Sequence, residues 1–379
     1  MTDEQTVRTG KVLLFANTDW YLYNFRLPLA RALRAQGNDV VLVSPPGRYA
    51  ERMQADGFRW LAFPLSRSRI NPLAELVTLL RLLALYRRER PMLAHHFTIK
   101  CVLYGGFAAR CSGCKSVIAA ITGIGHVFTS DSIRARLLRV VASQLYRLLL
   151  GRSVIFQNVD DRREFIARGL VKEERCSLIS GSGVDTVRFT PAVKGRNPPC
   201  VVMVARLLAE KGVTEFVDAA HAVRRSRPDC RFVLAGDLDP GNPSSIPAPT
   251  LAVWKQQGDV ELLGHVDDVL PLLQGADLAV LPSYREGTPR SLLEAGACGL
   301  PLVATDVPGC REVVIDGDNG LLVPAKDSGA LADAILTLID DPARRAHMGA
   351  RSRALVCERF SEESVIRRTL EVYRRALAG

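Results

Sequence analysis

The run Arg285-Glu286-Gly287-Thr288-Pro289-Arg290-Ser291-Leu292-Leu293-Glu294-Ala295-Gly296-Ala297 decides the fold. An apolar strand, Asp277-Leu278-Ala279-Val280-Leu281-Pro282, precedes it, and a second, Pro301-Leu302-Val303-Ala304-Thr305, follows. Strand, loop, helix and strand make a βαβ unit, which requires a parallel sheet. Thr288 reads as the N-cap and Pro289 as the first helical residue. The helix therefore starts just after Gly287, at the carboxyl end of a strand. Open α/β sheets bind ligands at that edge, and helix N-termini favour phosphate. Glu286 stands beside this end. Glu294 lies six residues past the cap, roughly 9 Å along the axis at about 1.5 Å per residue. The two carboxylates can thus address opposite sides of a bound diphosphate.

The same alternation extends in both directions. Upstream, Lys11–Ala16, Val40–Val43, Met92–Ala94, Val117–Ile121, Val154–Phe156 and Cys176–Ile179 read as strands, with helices over Phe25–Ala35, Leu73–Tyr86 and Ile133–Leu150. A polar, proline-rich break at Thr190–Pro199 separates them from a second series. That series reads as strands at Val201–Ala205, Phe232–Ala235, Val260–Leu262, Leu278–Leu281, Leu302–Ala304 and Leu321–Val323. Repeated βα units predict an α/β protein with two doubly wound, Rossmann-like domains, 1–190 and 191–360, and a final helical segment over 361–379.

The Glu286-to-Glu294 run, continued through Gly299-Leu300-Pro301 and Val307-Pro308-Gly309, resembles the Glu-x7-Glu signature of retaining glycosyltransferases of family 4. The resemblance implies the GT-B fold: two Rossmann-like domains facing across a cleft, with the last helix crossing back to the first. It implies that Glu286 contacts the donor sugar and Glu294 the ribose hydroxyls, with Gly287, Thr288, Pro289 and Arg290 forming the phosphate-binding helix start. Arg206 and Lys211 follow the strand Val201–Ala205 at the same sheet edge, where cations stabilise the charge that develops on a departing diphosphate. Family 4 enzymes carry this pair at the same place. Gly264-His265-Val266-Asp267 matches the turn that receives the nucleobase through backbone groups, here Gly264 and Val266. No cofactor is implied beyond a nucleotide-sugar co-substrate, and no metal.

Composition narrows the alternatives. At 379 residues, 47% hydrophobic and 24% charged, the chain suits two globular domains. No run of eighteen apolar residues is long enough to span a membrane, and no secretory signal is recognised at the start. Nine cysteines without a framework suit a reducing cytoplasm, and Cys111-Ser-Gly-Cys114 has no second ligand pair. Asp237-Leu238-Asp239 reads as a polar turn, since one DxD does not make an oxygen-rich metal set. Gly123-x-Gly125 and Gly181-x-Gly183 lack the rest of a dinucleotide fingerprint. The charge is uneven: residues 1–190 carry 28 lysines and arginines against 15 acids, a net +13, while 191–379 carry −3. A polyanionic partner is implied for the first half.

In the first half three loops after strands are candidates: Asn17–Arg26, His95–Lys100, and Gly123–His126. The family's Gly-Gly is absent from the first. Where the family has His-x-His, the second His position is Phe97, which leaves His96 and Lys100 as the nearest catalytic candidates, with His126 as the third. Arg67–Pro72, Thr98–Lys100 and Thr122–Thr129 resemble a narrower group, bacterial transferases that extend undecaprenyl-diphosphate-linked sugars for capsule, O-antigen or protein glycosylation. In that group UDP-linked amino sugars are frequent donors, so a hexose or N-acetylhexosamine from a UDP-sugar and a lipid-linked saccharide acceptor are expected. The basic amphipathic stretch Ile133–Arg152 fits an anionic surface, here the inner face of the cytoplasmic membrane, as well as an internal helix with a solvated Arg face. The runner-up readings are a GT-B sugar-nucleotide epimerase, a nucleic-acid-binding protein suggested by the basic charge, and a silent scaffold. Nucleic acid is not expected, because the arginines lack interleaved aromatics or a binding motif. Oligomeric state is left open.

Overall fold

The computed structural model describes residues 9–65, 71–123, 143–151, 153–192, 198–239 and 241–378. The chain divides into two compact units, Met1–Ser182 with Val365–Gly379, and Gly183–Ser364.

The first unit is built on a seven-stranded parallel sheet: β1 (Lys11–Phe15), β2 (Asp39–Ser44), β3 (Arg59–Ala62), β4 (Leu93–Phe97), β5 (Ser116–Ile121), β6 (Ser153–Phe156) and β7 (Cys176–Leu178). Their spatial order is β3-β2-β1-β4-β5-β6-β7. Val12, Leu13, Leu14 and Phe15 are all fully enclosed, as expected of a parallel strand covered on both faces. The helix after β1 runs Asp19–Ala35, six residues earlier than the apolar spacing suggested, because Thr18 caps it by accepting from Tyr21 N at 3.1 Å. β3 escaped the sequence reading: only its middle is half-buried and it is four residues long. Of the basic stretch at Ile133–Arg152, residues 143–149 are helical, and 131–142 lie outside the described residues. The last helix, Glu362–Ala378, packs Leu370, Val372 and Tyr373 into the same core as β1 and β4. Tyr373 Oη lies 2.7 Å from His95 Nδ1, and Ser116 Oγ donates to Ala376 O at 3.0 Å.

The second unit has six parallel strands: β8 (Cys200–Val204), β9 (Arg231–Ala235), β10 (Glu261–Gly264), β11 (Leu278–Leu281), β12 (Leu302–Thr305) and β13 (Gly320–Val323). Their order is β10-β9-β8-β11-β12-β13. Each sheet reverses winding once, between β1 and β4 and between β8 and β11. At such switch points loops diverge to opposite faces and leave a crevice at the carboxyl ends of the strands. Two crevices are thereby fixed by topology, one at Ala16–Asp19 with Thr98–Lys100, the other at Ala205–Lys211 with Pro282–Glu286.

Candidate functional site

The crevice between β8 and β11 gathers most of the expected donor-side residues. After β8 the chain turns through Ala209–Lys211 and reaches Gly212, which has φ +72°. A Cβ at Gly212 would stand 2.0 Å from Pro282 O, so only glycine lets the two loops meet. Tyr284 N and Ser283 Oγ both donate to Glu210 O, at 2.9 and 3.1 Å. A third loop joins them: Glu286 N donates to Pro308 O at 3.1 Å, and a Cβ at Gly309 would fall 2.5 Å from Glu286 O. These backbone contacts bring Lys211 Nζ to 2.5 Å from Glu286 Oε1, with side-chain exposures of 19% and 11%. Lys211 and Glu286, 75 residues apart, form a largely enclosed ion pair at the switch point.

The helix of the signature run is Arg290–Ala297. It begins later than expected: Thr288 is not its cap and Pro289 is not its first residue. Pro289 takes an extended conformation (φ −74°, ψ 109°) and itself holds the cap position, its carbonyl accepting from Leu293 N at 3.3 Å. Proline has no side-chain acceptor, so the cap residue's own side chain makes no bond to the first turn. Glu294 accepts from Arg290 Nε at 2.7 Å and is 13% exposed. Burial pushes the Glu294 carboxyl above the usual carboxylate range, against the opposing pull of Arg290 and Arg188.

Arg206 is half-exposed and donates to Asp239 Oδ2 at 2.8 Å. Asp237 Oδ2 lies 3.3 Å from His265 Nδ1. Both acids of the DxD are therefore engaged with side chains around the crevice, Asp239 with the expected diphosphate ligand itself. Sequence reasoning missed that pairing; the signal was the position of Asp237 and Asp239 just past β9, next to β8 in the sheet. Gly264 (φ +66°) accepts from Gly236 N at 2.8 Å, which ties the Gly264–Val266 turn to the loop after β9. A further support also went unseen: Tyr284 Oη donates to Glu215 Oε1 at 2.5 Å, and Lys326 Nζ sits 5.0 Å from the Tyr284 ring.

The first-unit candidates fare differently. His96 is fully enclosed, with Tyr86 Oη 2.6 Å from its Nε2. Burial pushes its pKa down to about 3, so the ring is neutral. The catalytic expectation for His96 gives way to a core role. Side chains alternate along β4, and both faces of the sheet are covered: His95 and Phe97 face the last helix, His96 faces Tyr86. Lys100 donates to Glu75 at 2.7 Å and is one-quarter exposed. Burial raises the Glu75 carboxyl, but the bonds from Lys100 and Tyr104 outweigh it and hold it below its ordinary value. Thr98, between them, has φ 72° and ψ 153°, a region nearly reserved for glycine, which costs about 1–3 kcal/mol. His126 lies outside the described residues. Most of the expected loop Asn17–Arg26 is the start of the helix Asp19–Ala35; Asp19, its first residue, is buried and accepts from Trp20 N at 2.8 Å and Tyr49 N at 2.7 Å. It ties the loop after β1 to the loop after β2.

Comparison with known proteins gives the family of the chain. The family described as Glycosyl transferase 4-like matches residues 11–156, and Glycosyl transferases group 1 matches 198–341. The N,N'-diacetylbacillosaminyl-diphospho-undecaprenol alpha-1,3-N-acetylgalactosaminyltransferase of Campylobacter jejuni is 29% identical over 94% of this chain and 96% of its own. The UDP-Gal:alpha-D-GlcNAc-diphosphoundecaprenol alpha-1,3-galactosyltransferase of Escherichia coli is 27% identical over 76% of each. Among solved structures, sucrose-phosphate synthase from Thermosynechococcus elongatus superposes with a TM-score of 0.77 at 22% identity, covering 98% of this chain and all of that one. The Anabaena protein HepE, solved with UDP and glucose, gives 0.76 at 20% identity over 95% of this chain and 98% of its own. These relatives are transferases or share their fold, and the epimerase alternative finds no support in them. The chain belongs to the family 4 glycosyltransferases of the GT-B fold.

Proposed function

We propose that this glycosyltransferase moves a hexose or N-acetylhexosamine from a UDP-sugar onto a lipid-linked saccharide, with retention at the anomeric carbon and without a metal. The observation that carries the reading is the Lys211–Glu286 pair at the β8/β11 switch point, with Arg206 in the loop after β8 and Glu294 in the helix after β11. Lys211, Arg206 and the start of the Arg290–Ala297 helix hold the diphosphate. As the bond from anomeric carbon to phosphate oxygen breaks, charge grows on that oxygen, and fixed cations stabilise it most at that moment. Glu286 orients the donor sugar and Glu294 accepts from the ribose hydroxyls. Gly264 and Val266 offer backbone groups to the base. The acceptor oxygen attacks from the face the leaving group vacates, and its proton passes to the departing phosphate oxygen. The second unit, in this reading, takes the donor and the first takes the acceptor.

The nature of the acceptor is supported by the names of the Campylobacter and Escherichia relatives, both of which act on diphospho-undecaprenol sugars. The net +13 of residues 1–190 favours an anionic surface, so the protein is placed peripherally on the inner face of the cytoplasmic membrane. Among the described residues no helix is long and apolar enough to cross a membrane. Thermal unfolding with a panel of UDP-, GDP-, ADP- and dTDP-sugars tests the donor side, because a ligand that binds only the folded state raises Tm. A shift with UDP-sugars that disappears in Arg206→Ala supports the reading. A shift retained in Arg206→Ala, or produced by another nucleotide in preference, overturns the donor assignment.

A further inference from the structure

Two arginines outside the donor crevice are built to meet an anion. The loop after β2 carries Arg48, whose guanidinium lies 5.0 Å from the Tyr49 ring centroid and donates to Tyr49 Oη at 2.9 Å. Arg52 lies 5.3 Å from the same ring and 5.9 Å from that of Tyr23. The two rings are themselves 5.1 Å apart. The Tyr49 backbone is fixed by the buried Asp19 carboxylate, so the platform is rigid. Both arginines are exposed. Their neighbours Arg31 and Arg59 pair with Asp56 and Glu89, yet among the described residues Arg48 and Arg52 pair with no carboxylate. Glu51, exposed, is the one acid between them in the chain, and Asp19 is occupied by Trp20 N and Tyr49 N.

The same loop borders an apolar groove of about 620 Å³, lined by Pro45, Pro46, Pro64, Leu65, Val77 and Arg81. Its volume lies within the roughly 300–1,000 Å³ of small-molecule sites. The helix Pro72–Glu89 that forms one wall exposes a stripe at helical spacing: Leu73 (75%), Leu76 (53%), Val77 (46%) and Leu80 (56%). Large apolar side chains left in the open along one face mark an interaction surface. Along the chain, the groove-lining Pro45 and Pro46 are followed within a few residues by Arg48 and Arg52, at the carboxyl edge of β2.

We propose that Arg48 and Arg52 hold the diphosphate of a polyprenyl-diphosphate-linked saccharide, and that the groove beside Pro45 and Pro46 takes the first part of its hydrocarbon chain. This rests on the lipid-linked acceptor proposed above. A diphosphate diester carries two charges and matches two planar guanidinium forks. A free nucleotide would leave the groove unused. A phospholipid headgroup shares the phosphate chemistry but offers one charge and requires no particular pair of arginines.

The test is binding of geranylgeranyl diphosphate to the full chain by calorimetry, with excess UDP present to occupy the donor crevice, alongside vesicles of phosphatidylglycerol. The expected result is that Arg48→Ala with Arg52→Ala weakens the prenyl diphosphate by about tenfold or more, the loss of at least one charge-assisted bond. Leu73→Ser with Val77→Ser, both of which line the groove, also weakens it, and Tm of the variants confirms their fold. Vesicle binding changes little in either. Unchanged affinity in the arginine variant overturns the site. So does absence of prenyl diphosphate binding by the wild type together with vesicle binding that falls in the arginine variant, which would assign these arginines to headgroups. The readout is binding, so glycosyl transfer that persists while the arginine variant binds unchanged would remove this site and leave the proposed function standing.

Discussion

Replacing Lys211 by Ala removes the one cation that, among the described residues, pairs with Glu286, and leaves that carboxylate 11% exposed. Two costs follow. Exposed pairs contribute about 0–1 kcal/mol, whereas breaking an enclosed pair costs about 3–5 kcal/mol. Exposures of 19% and 11% put this one between those limits, so about 2 kcal/mol of stability is at stake. For a unit of this size that lowers Tm by about 4–8 °C. The second cost is catalytic. A fixed donor aimed at developing charge contributes about 2.7–4 kcal/mol, so kcat falls about 100- to 1,000-fold. Combining Lys211→Ala with Glu286→Gln separates the two. With the charge at position 286 also removed, no unpaired carboxylate is left enclosed, so stability recovers in part while kcat stays low. The assay is steady-state release of UDP with saturating donor and a polyprenyl-diphosphate-linked acceptor, beside melting curves of each variant. If Lys211→Ala keeps kcat within about threefold of wild type while its Tm falls, the pair is structural and the diphosphate role is wrong.

Glu294→Ala is expected to raise the donor KM about tenfold or more with kcat largely kept, as loss of a ribose contact would, read from initial rates at varied UDP-sugar. The raised Glu294 carboxyl has a pH signature of its own. Its folded pKa lies above the unfolded value near about 4.3, so its favourable contribution is complete below that value and is lost as pH rises through the folded pKa. Melting curves should show Glu294→Gln gaining on wild type from about pH 4 upward, and a constant difference would contradict the burial. Gly212→Ala should destabilise the second unit by more than about 2 kcal/mol in a denaturant titration, since its Cβ would meet Pro282 O at 2.0 Å with φ at +72°. His96→Leu should cost about 1–3 kcal/mol by stranding the Tyr86 hydroxyl, with kcat/KM unchanged; a large loss of turnover would return His96 to the chemistry.

The sheet strands were readable because parallel strands are short apolar runs between turn signals, and Leu278–Leu281 and Leu302–Thr305 fall where those runs predict. Helix starts were less legible. Thr18 pulled the first helix six residues back, and Pro289 took an extended conformation that displaced Thr288 from the cap. The donor-side residues were visible through their spacing, but their partners were not. Asp239 reaches Arg206 only because β9 lies beside β8, and Glu286 reaches Lys211 across 75 residues of chain. His96 misled for a related reason: a strand covered on both faces gives no sequence sign of which histidines see solvent. Arg48 and Arg52 carry no sequence signal, since nothing in sequence marks them as stacked on Tyr49.

The central claim is retaining transfer from a nucleotide sugar to a lipid-linked saccharide, and the anomeric configuration of the product tests it most directly. Wild-type protein, an α-linked UDP-sugar and a polyprenyl-diphosphate-linked acceptor should give a product whose new linkage is α by NMR, with one UDP released per bond formed and no product from Glu286→Ala. A β-linked product, or none from folded protein with any UDP-sugar, would contradict it.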